Sequence, residues 1–119
     1  MLSFEQGDLF QHAANEATCI LKVIRSNGCS GKVQCSFKTI ELNREKDTAS
    51  PGKHYEHVEG HLVFEHNMSE KEILIPIKQD LDPDQMNNQM FGVKIDNIHP
   101  KGAKLSKKNT CLVELVIDD

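Results

Sequence analysis

The chain has 119 residues, 38% of them hydrophobic and 27% charged, with 18 acids against 14 bases and a net charge of −4. One domain accounts for this length, spanning residues 1–119, and the composition is that of an ordinary globular protein rather than a disordered segment. No apolar run approaches the ~20 residues needed to cross a bilayer, so the domain is not expected to insert into a membrane. Its mild acidity, lack of tryptophan and single tyrosine argue against a nucleic-acid surface.

Taken in order, the chain reads as a succession of short strands. Met1–Phe10 lacks the basic and long apolar regions of a signal peptide, so Met1 is expected to be either a true start or, the preferred reading, the start of an excised domain. Leu2–Glu5 and Leu9–His12 flank Gly7 and suggest an opening strand with a break. Thr18–Arg25 is a strand, and Ser26–Gly31 is a turn rich in Gly, Asn and Ser. Val33–Thr39 alternates most cleanly, with Val33, Cys35, Phe37 and Thr39 on one face. These elements are expected to form a meander.

Ile40–Lys53 is polar, contains Pro51 and Gly52, and has no sustained period, which marks a long loop. Tyr55 and the strand His61–Glu65 follow, with Leu62 and Phe64 inward. The polar turn His66–Lys71 leads to Glu72–Asp84, the central stretch. There Ile73, Ile75 and Ile77 alternate with Glu72, Leu74, Pro76 and Lys78, and the strand then runs out into Asp80, Asp82 and Asp84, where Pro83 stops it. Asp84–Gln89 is a connection, Met90–Ile95 resumes alternation, and Lys101–Lys108 is a basic, solvated loop. Thr110–Ile117 closes the chain and ends in Asp118 and Asp119. About seven strands and no convincing helix predict an all-β, antiparallel, immunoglobulin-like β-sandwich. If the strands leading to Asp80 and Asp118 end at the same pole, their carboxylates share one site of the kind that attracts calcium.

The cysteines Cys19, Cys29, Cys35 and Cys111 form no CxxC pair, and three of them lie within apolar alternation. They are read as small core residues in a reducing compartment, since a disulfide framework or a zinc site would need denser or closer pairs. His54, His57, His61 and His66 resemble a zinc cluster, but His54 and His57 point to opposite faces of an extended chain, and surface histidines are the expectation. Asn67-Met68-Ser69 fits an N-glycosylation acceptor, which matters only outside the cell. Without a phosphate loop, a nucleophile elbow or a buried acid–base pair, no enzyme is expected.

The ordered landmarks resemble the Calx-beta domain, a β-sandwich of the cytoplasmic regulatory loop of sodium/calcium exchangers and of some large cell-surface proteins. The resemblance rests on Phe4-Glu5, Val23-Ile24-Arg25 with Gly28, Phe37-Lys38-Thr39, Asp47-Thr48-Ala49 with Gly52 and Tyr55, Gly60-x-Leu62-x-Phe64, Glu72-Ile73-x-Ile75-x-Ile77, Phe91 with Val93, and Ile117-Asp118-Asp119. The run Phe37–Glu41 is most similar to the second of the paired exchanger domains. The resemblance implies calcium ligands at an acid after the first strand, an acid before the tyrosine, an aspartate run after the isoleucine strand, acids before the phenylalanine, and the terminal aspartates. At these places the chain has Ala13-Ala14, His54, Lys78-Gln79 and Asn87-Asn88-Gln89, and only Asp118 and Asp119 match. Calcium takes roughly 6–8 oxygens and its affinity follows their charge. The expectation is therefore weak or absent calcium binding, no cofactor, and residual candidates Asp80, Asp82, Asp84, Asp118 and Asp119. The partners implied are an adjacent Calx-beta domain and the transmembrane part of the same exchanger chain, in a cytoplasmic domain of a plasma-membrane protein. The alternative is an extracellular adhesion or spacer repeat.

Overall fold

The computed structural model describes residues 1–26, 31–42, 48–79, 82–99 and 109–116. Its strands are β1 (Leu2–Phe4), β2 (Leu9–Ala13), β3 (Thr18–Arg25), β4 (Val33–Ile40), β5 (Glu59–Phe64), β6 (Glu70–Pro76), β7 (Met90–His99) and β8 (Thr110–Val116), with a short helix α1 (Pro83–Met86) between β6 and β7. They form a three-stranded sheet of order β1-β3-β6 and a five-stranded sheet of order β2-β8-β7-β4-β5. The predicted sandwich is present. Among the described residues it has eight strands, close to the expected seven, with β1 and β2 the two halves of the interrupted opening strand.

The interruption is a change of sheet. Gly7, at φ 80°, takes up a conformation costly for other residues, and its N–H closes a turn onto the Phe4 carbonyl at 3.2 Å. β1 then pairs antiparallel with β3, whereas β2 pairs parallel with β8, Ala13 opposite Val116. The expected meander is overturned: β3 pairs with β1 and β6, and β4 with β5 and β7, so the turn after Arg25 carries the chain between layers. Most strands keep the boundaries that alternation predicts within two residues, but β7 runs on to His99. Its extension crosses a bulge, where Gln34 opposes His99 while Ser36 opposes Asp96. The connection Asp84–Gln89 overlaps α1, a helix of one turn that begins at Pro83 where no helix is expected. Ile77 lies just past β6 and is held by an isolated bridge to Tyr55.

Between the sheets lies the core the alternation specifies: Leu21, Val23, Ile73 and Ile75 from one layer, Phe64, Phe91, Val93, Ile95, Val113 and Leu115 from the other. Tyr55 stacks on Phe91 with centroids 4.1 Å apart and planes 17° from parallel. Cys19, Cys35 and Cys111 are buried, unbridged thiols, as the alternation predicts; Cys29 falls outside the described residues. Burial pushes the Cys19 thiol up to about 12, with Cys111 adding to it, and those of Cys35 and Cys111 up to about 11. Because the thiolate is the nucleophile, these three cysteines should stay unmodified by a disulfide reagent in native buffer and react at once in denaturant. Site-resolved mass spectrometry reads the difference.

Candidate functional site at one pole of the sandwich

The pole to examine is the one toward which β2, β6 and β8 all run. Because β2 and β8 are parallel they end together: the Ala14 N–H donates to the Val116 carbonyl at 2.7 Å. β6 arrives beside them, and the Ile77 N–H donates to the Ala17 carbonyl at 2.8 Å. Two connections complete the rim. The segment 48–56 is attached through Ala49 N–H to the Met90 carbonyl at 2.7 Å, and the segment after α1 through Asn88 N–H to the Leu115 carbonyl at 2.7 Å. The strands leading toward Asp80 and toward Asp118 and Asp119 therefore converge on one pole. Asp80, Asp118 and Asp119 themselves lie outside the described residues, as does Asp47.

Of the candidate acids that are described, Asp82 and Asp84 are both exposed. Asp82 uses its backbone carbonyl to accept the Gln85 N–H at 2.9 Å, closing the turn of α1. Among the described residues no three of His, Cys, Asp and Glu gather closely enough to hold a metal ion.

Among the described residues, two neutral side chains tie the segments of the pole together. Gln79 sends its amide nitrogen toward four backbone carbonyls, those of Ala14 at 3.0 Å, Ile77 at 3.2 Å, Lys78 at 3.3 Å and Glu16 at 3.5 Å. An amide has two N–H groups, so four oxygens around one nitrogen outnumber its donors. Backbone oxygens drawn to one point are also what a hard cation collects. Here the point is occupied by an uncharged donor.

His54 is the second. Surface histidines are the expectation from sequence, and for His54 that is wrong: it is 5% exposed. Its Nδ1 accepts the Ser50 N–H at 2.9 Å, so the other nitrogen carries the proton and Nε2–H donates to the Gln85 carbonyl at 3.1 Å. The ring thereby ties the 48–55 segment to α1, while the His54 carbonyl accepts the Lys78 N–H at 2.9 Å and ties the same segment to the end of β6. A lone polar residue in a polar run carries no sign of burial, because its partners come from elsewhere in the chain. Lys78 turns outward and pairs with Glu56 at 3.4 Å, both side chains about a third exposed or more, a surface pair of small energetic weight. The other histidines are dispersed: His57 Nδ1 shares a hydrogen bond with the Thr39 hydroxyl at 2.7 Å, and His66 Nδ1 accepts the Gly31 N–H at 2.9 Å.

Burial lowers the proton affinity of His54, with the Lys53 charge adding to it, against the Gln85 and Ser50 backbone contacts that raise it. A base whose folded value is depressed contributes its full stability above its ordinary value of about 6.5. As pH falls below that value the unfolded chain takes up the proton first, and the contribution is lost down to the folded value. The protonated ring also loses the lone pair that accepts from Ser50. Unfolding free energy should therefore fall on acidification below pH about 6.5, and His54→Gln should flatten that part of the profile. Urea titrations across the range are the check; identical slopes in the two proteins would contradict it.

Comparison with known proteins agrees with this architecture. The family model of the Calx-beta domain matches residues 1–116. Among solved structures, the apo form of the Calx CBD1 domain aligns with a TM-score of 0.81 at 21% identity, covering 99% of this chain and 96% of that one. The Calx CBD2 domain aligns with a TM-score of 0.77 at 22% identity, covering 96% of this chain and 84% of that one. CBD12 from CALX1.2 aligns with a TM-score of 0.83 at 21% identity over 99% of this chain, which spans 45% of that longer chain. No curated protein matches. Among the described residues no helix is long and apolar enough to cross a membrane.

Proposed function

Because the chain belongs to the Calx-beta domain family, we propose that it is a non-catalytic regulatory module of the cytoplasmic loop of a sodium/calcium exchanger whose own calcium site is replaced by hydrogen bonds. The observation that carries this is the pair His54 and Gln79. They tie together the segments that a cation would otherwise bridge, and they do so without charge. Such a pole keeps one shape whether calcium is present or not. Calcium binding, on this proposal, is weak or absent, with Asp80, Asp82, Asp84, Asp118 and Asp119 as residual acids.

A module of this kind acts by contact. A neighbouring calcium-sensing Calx-beta domain changes state, and a rigid partner passes that change toward the transmembrane part of the chain. The tandem CBD12 structures among the relatives support an adjacent domain of the same family, and the run Phe37–Glu41 supports the second position in such a pair. The buried free thiols Cys19, Cys35 and Cys111 favour the cytoplasm over the cell exterior. Titration calorimetry with calcium tests the central point: no stoichiometric heat is expected in the micromolar range, and a strong one would sink the proposal.

One observation favours the extracellular adhesion or spacer repeat instead. Asn67 of the Asn67-Met68-Ser69 acceptor is exposed in a turn, at φ 70°. A glycan on Asn67 in protein purified from its native source would decide for that reading.

A further inference from the structure

The outer face of the five-stranded sheet carries a hollow of about 390 Å³ over β5, β4 and β7. A second concavity of about 410 Å³ adjoins it and shares Ser36, His61 and Asn97. Together they lie within the size range of small-ligand sites. None of these residues belongs to the pole.

Three features of the hollow call for explanation. Lys38 of β4 stands directly opposite Lys94 of β7 in the strand register, and like charges in that relation repel. Lys94 is partly offset by Asp96 at 3.8 Å, a pair whose side chains are 38% and 54% exposed. Among the described residues no acid lies within ion-pair distance of Lys38. Next to the lysines, β7 bulges between the Ser36–Asp96 and Gln34–His99 pairs. Asn97 within the bulge sits at φ 51°, in the left-handed region that non-glycine residues enter at a cost and often at binding sites. Bulges re-aim side chains, and this one brings the Asn97 amide to 3.3 Å from the Ser36 hydroxyl, to which it donates. The Ser36 proton is then left for another acceptor.

Two acids also line the hollow, Asp96 and Glu59, and Glu59 of β5 stands opposite Lys38 on the side away from Lys94, beyond ion-pair distance. Asp96 accepts the Asn97 N–H at 2.8 Å through Oδ1 while Oδ2 faces Lys94, and Glu59 lies 3.7 Å from His57 Nε2. What remains is a set of donors with capacity to spare: the ammonium group of Lys38, that of Lys94 beyond its 3.8 Å contact with Asp96, the Ser36 hydroxyl, and the His61 ring paired opposite Ser36. We propose that this hollow is a binding site for a small phosphate-bearing anion, held by Lys38 and Lys94 with Ser36, Asn97 and His61 supplying neutral donors. A phosphate group offers several strong acceptor oxygens on one centre and relieves the repulsion between the two lysines.

Amide-resolved NMR titration at constant ionic strength is the test, with pyrophosphate as the soluble probe and vesicles of phosphatidylcholine with phosphatidylinositol 4,5-bisphosphate as the membrane probe. The amides of Ser36, His61 and Asn97 should shift saturably, and Lys38→Gln and Lys94→Gln should each weaken binding about tenfold, the loss of one charged hydrogen bond. Without any anion, Lys38→Gln should melt close to the parent, since it removes a repulsion from Lys94 and an attraction to Glu59 of similar size, and this keeps misfolding separate from lost binding. Saturation by pyrophosphate assigns a soluble phosphate ligand, and binding confined to the vesicles assigns a lipid headgroup. Shifts that sodium chloride reproduces, that survive Lys38→Gln, or that neither probe produces overturn the proposal.

Discussion

Truncating Phe91 to alanine is expected to lower the unfolding free energy by about 3–5 kcal/mol, the cost of removing a fully buried aromatic ring and leaving a cavity. Phe91 sits in β7, paired with Val113 of β8, and is fully buried. Its ring is the surface on which Tyr55 stacks at 4.1 Å. Tyr55 in turn bridges Ile77 at the end of β6 and Pro51 in the long connection, so one stack joins both layers to the segment that carries His54. The loss should therefore be felt at the pole as well as in the core. Hydrogen exchange of the Ser50 and Lys78 amides should rise more than that of β3. Tyr55→Phe is the matched control. The Tyr55 hydroxyl is buried without a hydrogen-bond partner among the described residues, and burial, with Glu41 adding, pushes its ionisation up to about 12. Deleting that oxygen removes a desolvated polar atom and should leave stability unchanged or raise it by about 1 kcal/mol. Urea denaturation of the two variants measures both. A Phe91→Ala cost below about 1 kcal/mol would show that the site collapses around the gap.

Alternation made most of the strands legible and little of their arrangement. Cys19, Leu21 and Val23, or Ile73 and Ile75, announce an inward face because a strand turns every second side chain the same way. Nothing in that period states which strand supplies the hydrogen bonds. The turn after Arg25 signals a reversal, and a reversal within a sheet and a crossing between sheets use the same residues. Gly7 was visible as a break, but its consequence, a first strand shared between layers, depends on the parallel pairing of Leu9–Ala13 with β8. The pole illustrates the same limit. That Lys78 and Gln79 stand where carboxylates were expected is readable from the chain. That the Gln79 amide faces four carbonyls and that His54 is buried against Gln85 are facts of convergence between segments 25 or more residues apart in several cases, as with His54 and Gln85, separated by 31.

On the proposed function, the same convergence should allow calcium binding to be strengthened by substitution. The carbonyls of Ala14, Glu16, Ile77 and Lys78 already lie within 3.5 Å of one point occupied by the Gln79 amide nitrogen. Among the described residues, no cluster of carboxylates stands beside these carbonyls. His54→Glu, Lys78→Asp and Gln79→Asp together exchange one cation and two neutral groups for three carboxylates, and calcium affinity rises steeply with ligand charge. The triple variant is expected to bind calcium at least about a hundredfold more tightly than the parent. Without calcium it should be less stable, because the His54 and Gln79 hydrogen bonds are gone and the new carboxylates repel one another. Calcium at about 100 times the dissociation constant should return about 2.7 kcal/mol by preferential binding to the folded state, whereas the parent should melt at the same temperature with and without it. Calorimetry and thermal melting read the two halves independently. A variant that gains no affinity would mean that the pole's backbone oxygens cannot serve a cation, and a parent that already matches the variant would mean that the hydrogen bonds of His54 and Gln79 replace nothing.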